Sequence, residues 1–520
     1  MLNQIKKKLF KMKKYILFLA IIALFSSCTK TLDQKKVSPE PTSNDIESVQ
    51  IPEGFDWKTT VDLDVSIMLP ENQGVKRTMI SSVDGTKMYF KGYPSDTTQR
   101  TLNTKITVPA YMEVLKVTNG VDEAFVDITG NILSFDFNNA SFKSGTSIDC
   151  GECDGKITQL TLEYIGSVDN PTIFVEDKNG RVLYNGTIDG QNQFSFIGKD
   201  NKGTMSPRIY LFVNGGDETE IHTSCSVTIL AGQVWGDYLI VSGESRNGGP
   251  LCEVEEEEPM SFAGTVIYED LYPAKGDYDF NDLVVEYYYE INKDDDNYVT
   301  DIAATFTIKA FGASYHNAFG FQFPDVAPSD VASVDGGVFK ANTIFDMAAN
   351  GVEANQSKAT FIVYDDAYDM MSHPGSGIGV NTTPGSDYVE PVSIEMTINF
   401  ANNAVLFDDL DIGNFNPFIV MKQDRGYEVH LAGFEPTDLF DTNLYGVYDD
   451  ASVPGSGIYF VTENNLPWAI NIPDGFDYMK EKAVISSGYL KFVEWAQSGG
   501  VSYPDWYTDQ PGYRNDSQLY

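Results

Sequence analysis

The chain has 520 residues, with 36 Lys and Arg against 75 Asp and Glu, and so a formal net charge of −39. Such a charge excludes nucleic-acid binding, which needs clustered basic side chains over phosphates, and it favours solubility and attracts cations. At 42% hydrophobic and 13% aromatic residues the chain is no disordered acidic protein, and its length predicts two or three domains with real cores.

Lys6, Lys7, Lys8, Lys11, Lys13 and Lys14 precede an apolar run from Tyr15 to Phe25, closed by Ser26 and Ser27. A basic region, a short apolar run and a small-residue cleavage site mark residues 1–27 as a secretory signal, too short for a comfortable bilayer span. Met12 is an alternative start. Cys28 follows directly, and the segment resembles a bacterial lipobox, whose Cys becomes the lipidated first residue of the mature chain. Phe25 stands where the usual motif has Leu, and ordinary cleavage with an idle Cys28 is the alternative. The resemblance implies an exported outer-membrane lipoprotein on the periplasmic or the cell-surface side, held to the membrane through Cys28. Cleavage would take the formal charge from −39 to −45, because six lysines and no acids leave. Residues 28–51, rich in Lys, Ser, Pro, Thr, Asn and Asp, are expected to be a disordered tether.

Strand signals dominate the mature chain, and the expected fold class is mainly β. Val61, Leu63, Val65, Ile67 and Leu69 alternate with mostly polar residues, which puts one strand face in a core and the other in water. Ile106–Val108, Val114–Val117, Phe125–Ile128, Ile157–Tyr164, Thr172–Val175 and Tyr210–Val213 repeat the theme, with Asp-Gly, Asn-Gly and Gly-Gly turns between. Residues 52–250 therefore read as one β-sandwich-like module. Four cysteines, Cys150, Cys153, Cys225 and Cys252, are disulfide candidates in an exported protein, with three possible connectivities. A redox-active pair at Cys150 and Cys153, or half of a zinc site, is the other reading. Residues 251–260 hold four consecutive glutamates and Pro259, an extended self-repelling linker.

The densest run of ligand-type oxygens lies in the next domain, 261–510. Asp277, Asp279, Asn281 and Asp282 fall within six positions, with Tyr278 and Phe280 between them and the strand-like Leu283–Tyr289 behind. If the run is extended, period two sets Asp277, Asp279 and Asn281 on one face and the aromatics on the other. Hard cations such as calcium take six to eight oxygens, and closely spaced Asp and Asn supply several from one loop. An EF-hand would need Gly at its sixth position and Glu at its twelfth; Asp282 and Tyr288 stand there. Further ligands are expected from Glu269, Asp270 and Glu286, with Asp365, Asp366, Asp408 and Asp409 as distant partners. A solvated acidic turn is the alternative.

The stretch Tyr268–Val284 resembles the signature of the LruC domain of exported bacterial proteins. Tyr427–Leu431, Asn465–Ile470 and Trp495–Ala496 are similar to that family's C-terminal portion, so the resemblance covers about 262–510. The family brings no established activity. Its Asp-x-Asp-x-Asn-Asp core is similar to calcium-binding repeats of surface adhesins, which implies a calcium cofactor at Asp277, Asp279, Asn281 and Asp282, with Glu269 and Asp270 the nearest candidates for further ligands.

One C-terminal helix is expected over Lys480–Gln497, stopped by Gly499 and Gly500, with a tail at 511–520. Trp495, Trp506 and Tyr507 read as core aromatics or as a sugar-stacking platform. No catalytic constellation emerges: His222, His316, His373 and His430 are scattered, and no zinc helix, nucleophile elbow or phosphate loop occurs. The function expected is a non-catalytic envelope lipoprotein serving adhesion or recognition of a glycan or protein. A carbohydrate-active enzyme using an Asp/Glu pair, or a purely structural envelope protein, is the alternative.

Overall fold

Alternation in the sequence becomes alternation in burial: Leu63, Val65 and Ile67, every second residue of strand Thr60–Met68, are buried. The computed structural model describes residues 46–520 apart from 71–76, 95–99, 120–121, 139–142, 145–155, 169, 189–192, 217, 225–228, 247–250 and 252–258. Cys28, Cys150, Cys153, Cys225 and Cys252, with the lipidation and disulfide readings placed on them, lie outside the described residues. The chain divides into a unit up to Ser48, of which only the turn Ile46–Ser48 is described, and a body from Val49 to Tyr520. The body is mainly β, as expected, and its helices are short.

Among the described residues of the body the strands form six sheets. Thr60–Met68 lies between Thr101–Pro109 and Ile132–Asp136, and its pairing with the latter is parallel. A five-stranded sheet is ordered Met88–Gly92, Thr78–Ser81, Val114–Asn119, Asp122–Asp127, Lys143–Ser144. Residues 157–245 build two four-stranded antiparallel sheets, centred on Thr172–Asp177 with Arg208–Val213 and on Ile157–Tyr164 with Tyr238–Ser245. The last region pairs a six-stranded sheet with a four-stranded one. The first runs Val331–Asp335, Val392–Phe400, Val299–Ala310, Leu283–Lys293, Met260–Tyr268, Ala469–Ile472. The second runs Ala359–Tyr364, Ala318–Phe323, Asn416–Val420, Glu428–His430, and every residue of its four strands is buried.

The cores do not follow the divisions expected from the linker. Residues 52–250, read as one sandwich, hold two separate cores. The buried side chains of the first, Leu63 to Phe137, are continuous with those from Met260 onward, whereas Ile157 to Ile240 close on themselves. At the shared boundary the Lys293 ammonium lies 4.2 Å from the centre of the Phe90 ring, and Phe90 packs edge-on against Phe407. Farther on, Trp57 donates its indole N–H to the Asn465 carbonyl at 2.8 Å. Composition marks where a chain is acidic and proline-capped, but which apolar faces meet is settled by packing between distant strands.

The expected long C-terminal helix is two short ones, Ile485–Gly488 and Phe492–Gln497. Ser487 turns its hydroxyl onto the Val484 carbonyl, and the Leu490 N–H donates to Tyr513 O rather than back along a helix. A Cβ at Gly488 would sit 2.5 Å from Met479 Sδ, so the break is also a close contact. Gly499 and Gly500, both at positive φ, end the segment where the sequence places the stop. Trp495, Trp506 and Tyr507 are buried, and Trp495 packs edge-on against Phe55 and Trp57. They are core, which overturns the sugar-platform reading. No helix among the described residues is long and apolar enough to cross a membrane.

Candidate metal centre

Strand Met260–Tyr268 ends at Tyr268, and its next two residues, Glu269 and Asp270, are almost wholly buried. The Glu269 N–H donates to Trp468 O, which carries the ladder one step past the strand. The loop then returns to Leu283 by a coiled path. Tyr278 and Phe280 have φ of 60° and 52°, a left-handed conformation that non-glycine residues hold only when their surroundings fix it. The extended period-two geometry expected of the run is therefore not adopted. Both aromatic rings are buried, and so are Asp279 and Asn281, at 2% and 0% exposure.

Glu269, Asp277 and Asp279 come together, each offering an oxygen within 4.8 Å of the others. Glu269 Oε1 accepts the Phe280 N–H at 2.8 Å, while Oε2 is buried with no hydrogen-bond partner. Asp279 Oδ1 accepts the Asn281 N–H and Oδ2 the Lys482 N–H at 2.7 Å. The Asn281 amide donates through Nδ2 to Met479 O at 3.1 Å, which leaves Oδ1 buried and unpartnered. Two glycines make room for these oxygens. A Cβ at Gly276 would stand 1.5 Å from Glu269 Oε2, and one at Gly312 would stand 2.0 Å from Asn281 Oδ1 and 3.1 Å from Glu481 Oε2.

The remaining expected ligands sit beside this group rather than in it. Half-buried Asp282 accepts the Asp270 N–H through Oδ2 at 2.9 Å. Asp270 in turn accepts the Asn317 side-chain N–H at 2.7 Å. Glu286 pairs with Lys309 on the neighbouring strand at 3.1 Å and is not part of the cluster. Neither are the distant candidates: Asp365 accepts the Lys340 N–H, Asp366 pairs with His316, and Asp408 accepts the Thr104 hydroxyl. Glu481 and Asn317 were not foreseen. Nothing local marks them, since both reach the site from far along the chain.

The electrostatics are those of crowded acids, with Lys422 drawing on Asp270 and Lys482 on Glu481 against the crowding. Burial, then repulsion from Asp282, Asp279 and Asp277, holds the Glu269 carboxyl well above the usual range. Burial followed by Asp277 pushes Asp279 up to about 8, against the pull of the Lys482 and Asn281 N–H groups. Asp282 is held well above the usual range by burial and Asp270, Asp270 is raised to about 6 by burial, and Glu481 is raised by burial and Asp277. Hard oxygen donors at this spacing suit a calcium-type cation, whose charge would relieve that repulsion.

Fold and site define a β-rich, multi-sheet protein with an acidic cluster, Glu269 and Asp279 buried and Asp277 exposed, where two strands of its largest sheet turn. Among known families, a domain of unknown function, DUF4842, matches residues 297–507. That span includes Glu481 and begins beyond Tyr268–Val284 and its acids, so the likeness of that stretch to LruC domains stands as a resemblance. No curated protein matches the chain. Among solved structures it is similar to a "putative lipoprotein" from Bacteroides ovatus, at 16% identity over 68% of this chain and 99% of that one, with a TM-score of 0.42. It is also weakly similar to the BSP domain of a biofilm associated protein, at 8% identity over 74% of this chain and 59% of that one, with a TM-score of 0.14. At those values neither carries detail across.

Proposed function

We propose that the protein is a non-catalytic envelope lipoprotein, held to the outer membrane through lipidated Cys28, whose C-terminal domain folds around a calcium-type cation and serves recognition of a glycan or protein. The observation that carries the cation is the pair of buried oxygens without partners, Glu269 Oε2 and Asn281 Oδ1, set among mutually repelling carboxylates. A buried acceptor left bare costs about 1–3 kcal/mol, and more when charged, so a fold that keeps two of them needs a donor or a cation there. Glu269, Asp277, Asp279 and Asn281 are the proposed ligands, with Glu481, Asp270 and Asp282 around them. Binding energy then becomes folding energy, because the ion neutralises charges the fold has buried. The membrane anchor rests on the basic, apolar and small-residue order ending at Cys28.

The test is a thermal melt of the whole mature chain in calcium and in chelator, repeated with Asp279→Asn. A calcium-dependent rise in melting temperature that the variant lacks supports the reading. Superimposable curves, with the variant melting like the parent, would sink it.

A further inference from the structure

Two open clefts of ≈ 400 and ≈ 380 Å³ share a wall at half-buried Tyr459, a residue that lines both. Each alone is in the range of about 300–1,000 Å³ that small-molecule sites occupy. On one side the second cleft is lined by Tyr445, Lys358, Glu435, Asp438 and Thr442. On the other, the first is lined by Phe55, Glu53, Asp56, Thr462 and Glu463. Tyr445 lies 6.2 Å from Tyr459, ring centre to ring centre, at an angle of 50°. The Tyr459 hydroxyl reaches the Pro454 carbonyl at 3.4 Å, across the exposed turn Pro454–Ser456.

Beneath the second cleft the fold buries three charged groups, Arg425, Glu353 and Glu428, and the imidazole of His430. Arg425 grips Glu353 with two N–H groups and also reaches Glu428, while His430 Nε2 meets Glu428 at 2.8 Å. Thr437 donates its N–H and its hydroxyl to Glu428 and accepts from Arg425 at 3.0 Å, and Thr437 lines the cleft. Gln322, also on the floor, is held by Thr360 at 2.9 Å. Buried ion pairs seldom add stability over apolar residues, but they fix geometry. Here they hold the floor of a cleft rigid, which lowers the cost of binding.

We propose that these clefts form one groove that binds a neutral oligosaccharide lying across Tyr459. The proposal deepens the recognition reading above and rests on it. A pyranose presents a flat C–H face and a rim of hydroxyls. A half-buried tyrosine flanked by carboxylates, threonines and a lysine matches both, one with its ring and the others with hydrogen bonds. The shared wall implies a chain of sugars rather than one. Glu53, Asp56, Glu435, Asp438 and Glu463 against Lys358 make the groove acidic, which disfavours uronic or sulfated glycans. An extended peptide fits less well, because the strand beside the floor, Glu428–His430, is buried at every residue and presents no open face for a further strand.

Affinity electrophoresis of the mature chain in calcium, through gels carrying dextran, laminarin, mannan, xylan or the anionic alginate, tests this. At least one neutral polysaccharide is expected to retard the protein, and alginate is not. Tyr459→Ala should weaken that retardation by about tenfold or more, the equivalent of ~1.4 kcal/mol. Tyr459→Phe, which keeps the ring, should retain it, and so should Tyr448→Ala, at a tyrosine 84% exposed and outside the groove. A melt of each variant shows that it is folded. Retardation by alginate alone, by no neutral gel, or equally in Tyr459→Ala overturns the proposal. The calcium-dependent melt reports on the cation separately, so a failed groove and a failed metal centre give different results.

Discussion

Two of the places where the C-terminal domain buries charge differ in the neighbours that the chain supplies to them. Around Glu428, burial pushes the carboxyl up, but hydrogen bonds and charge from His430, Arg425 and Thr437 outweigh it and leave the group below its ordinary value. Around Glu269, burial acts in the same direction and the neighbouring charges that act on it are carboxylates, so the group stays well above. The same desolvation therefore ends in opposite shifts, decided by the sign of the neighbours. The Glu428 network is complete as folded. Among the described residues the charges acting on Glu269 are all negative, which is why the cation is proposed there and not at the other acid-rich sites.

Breaking the balanced network should have the largest effect. Arg425→Met leaves Glu353 and Glu428 buried without their guanidinium and should cost about 3–5 kcal/mol in denaturant unfolding, with or without calcium. A calcium-dependent rescue of that variant would blur the distinction between the two sites. Next comes the cation itself. Calcium at a hundredfold excess over its dissociation constant should add about 2.7 kcal/mol to unfolding, removed by chelator and absent in Asp279→Asn. Gly276→Ala places a methyl on Glu269 Oε2; it should cost about 1–3 kcal/mol and abolish the calcium response measured by calorimetric titration.

The sites should also differ in their response to pH. In the cation-free protein Asp270 and Asp279 titrate at about 6 and about 8, above their ordinary value of 3.8, so the folded state holds protons the unfolded chain has lost. Stability in chelator should then fall as pH rises from about 4 to about 8, where the folded state binds more protons. Calcium takes the place of those protons, so its stabilisation should be larger at pH 8 than at pH 5 in paired melts. Glu428, lowered rather than raised, adds stability that is lost only as pH falls through its folded value. The smallest effect is expected of Glu481→Gln, about 1 kcal/mol or less in calcium affinity, since that residue is half-buried at the edge of the cluster. An equal response at Glu481 and Asp279 would move the centre of the site toward Gly312.

Much of this was legible in the residues. Period-two runs such as Val61–Leu69 and Ile302–Ile308 became strands with those side chains inside, because alternation is a local property that any half-buried strand must satisfy. The acidic run 277–282 stood out for the same reason: its spacing is written in consecutive positions. The helix at 480–497 misled because apolar residues at helical spacing say nothing of a carbonyl at Tyr513 that draws the Leu490 N–H away. Trp495 could be named as core or platform but not assigned, since it packs against Phe55 and Trp57, more than 400 positions distant.

By itself, then, the sequence determined the strand-rich class and singled out Glu269, Asp270, Asp277, Asp279, Asn281 and Asp282, of which the fold brings the carboxylates of Glu269, Asp277 and Asp279 together. Only the tertiary structure decided that Leu63–Phe137 shares a core with the C-terminal region, that Glu481 joins the acids, and that Glu269 Oε2 and Asn281 Oδ1 have no partner. The reason is physical. A residue's type and spacing are carried along the chain, but its solvation and the charges facing it come from whatever packs against it, often hundreds of residues away.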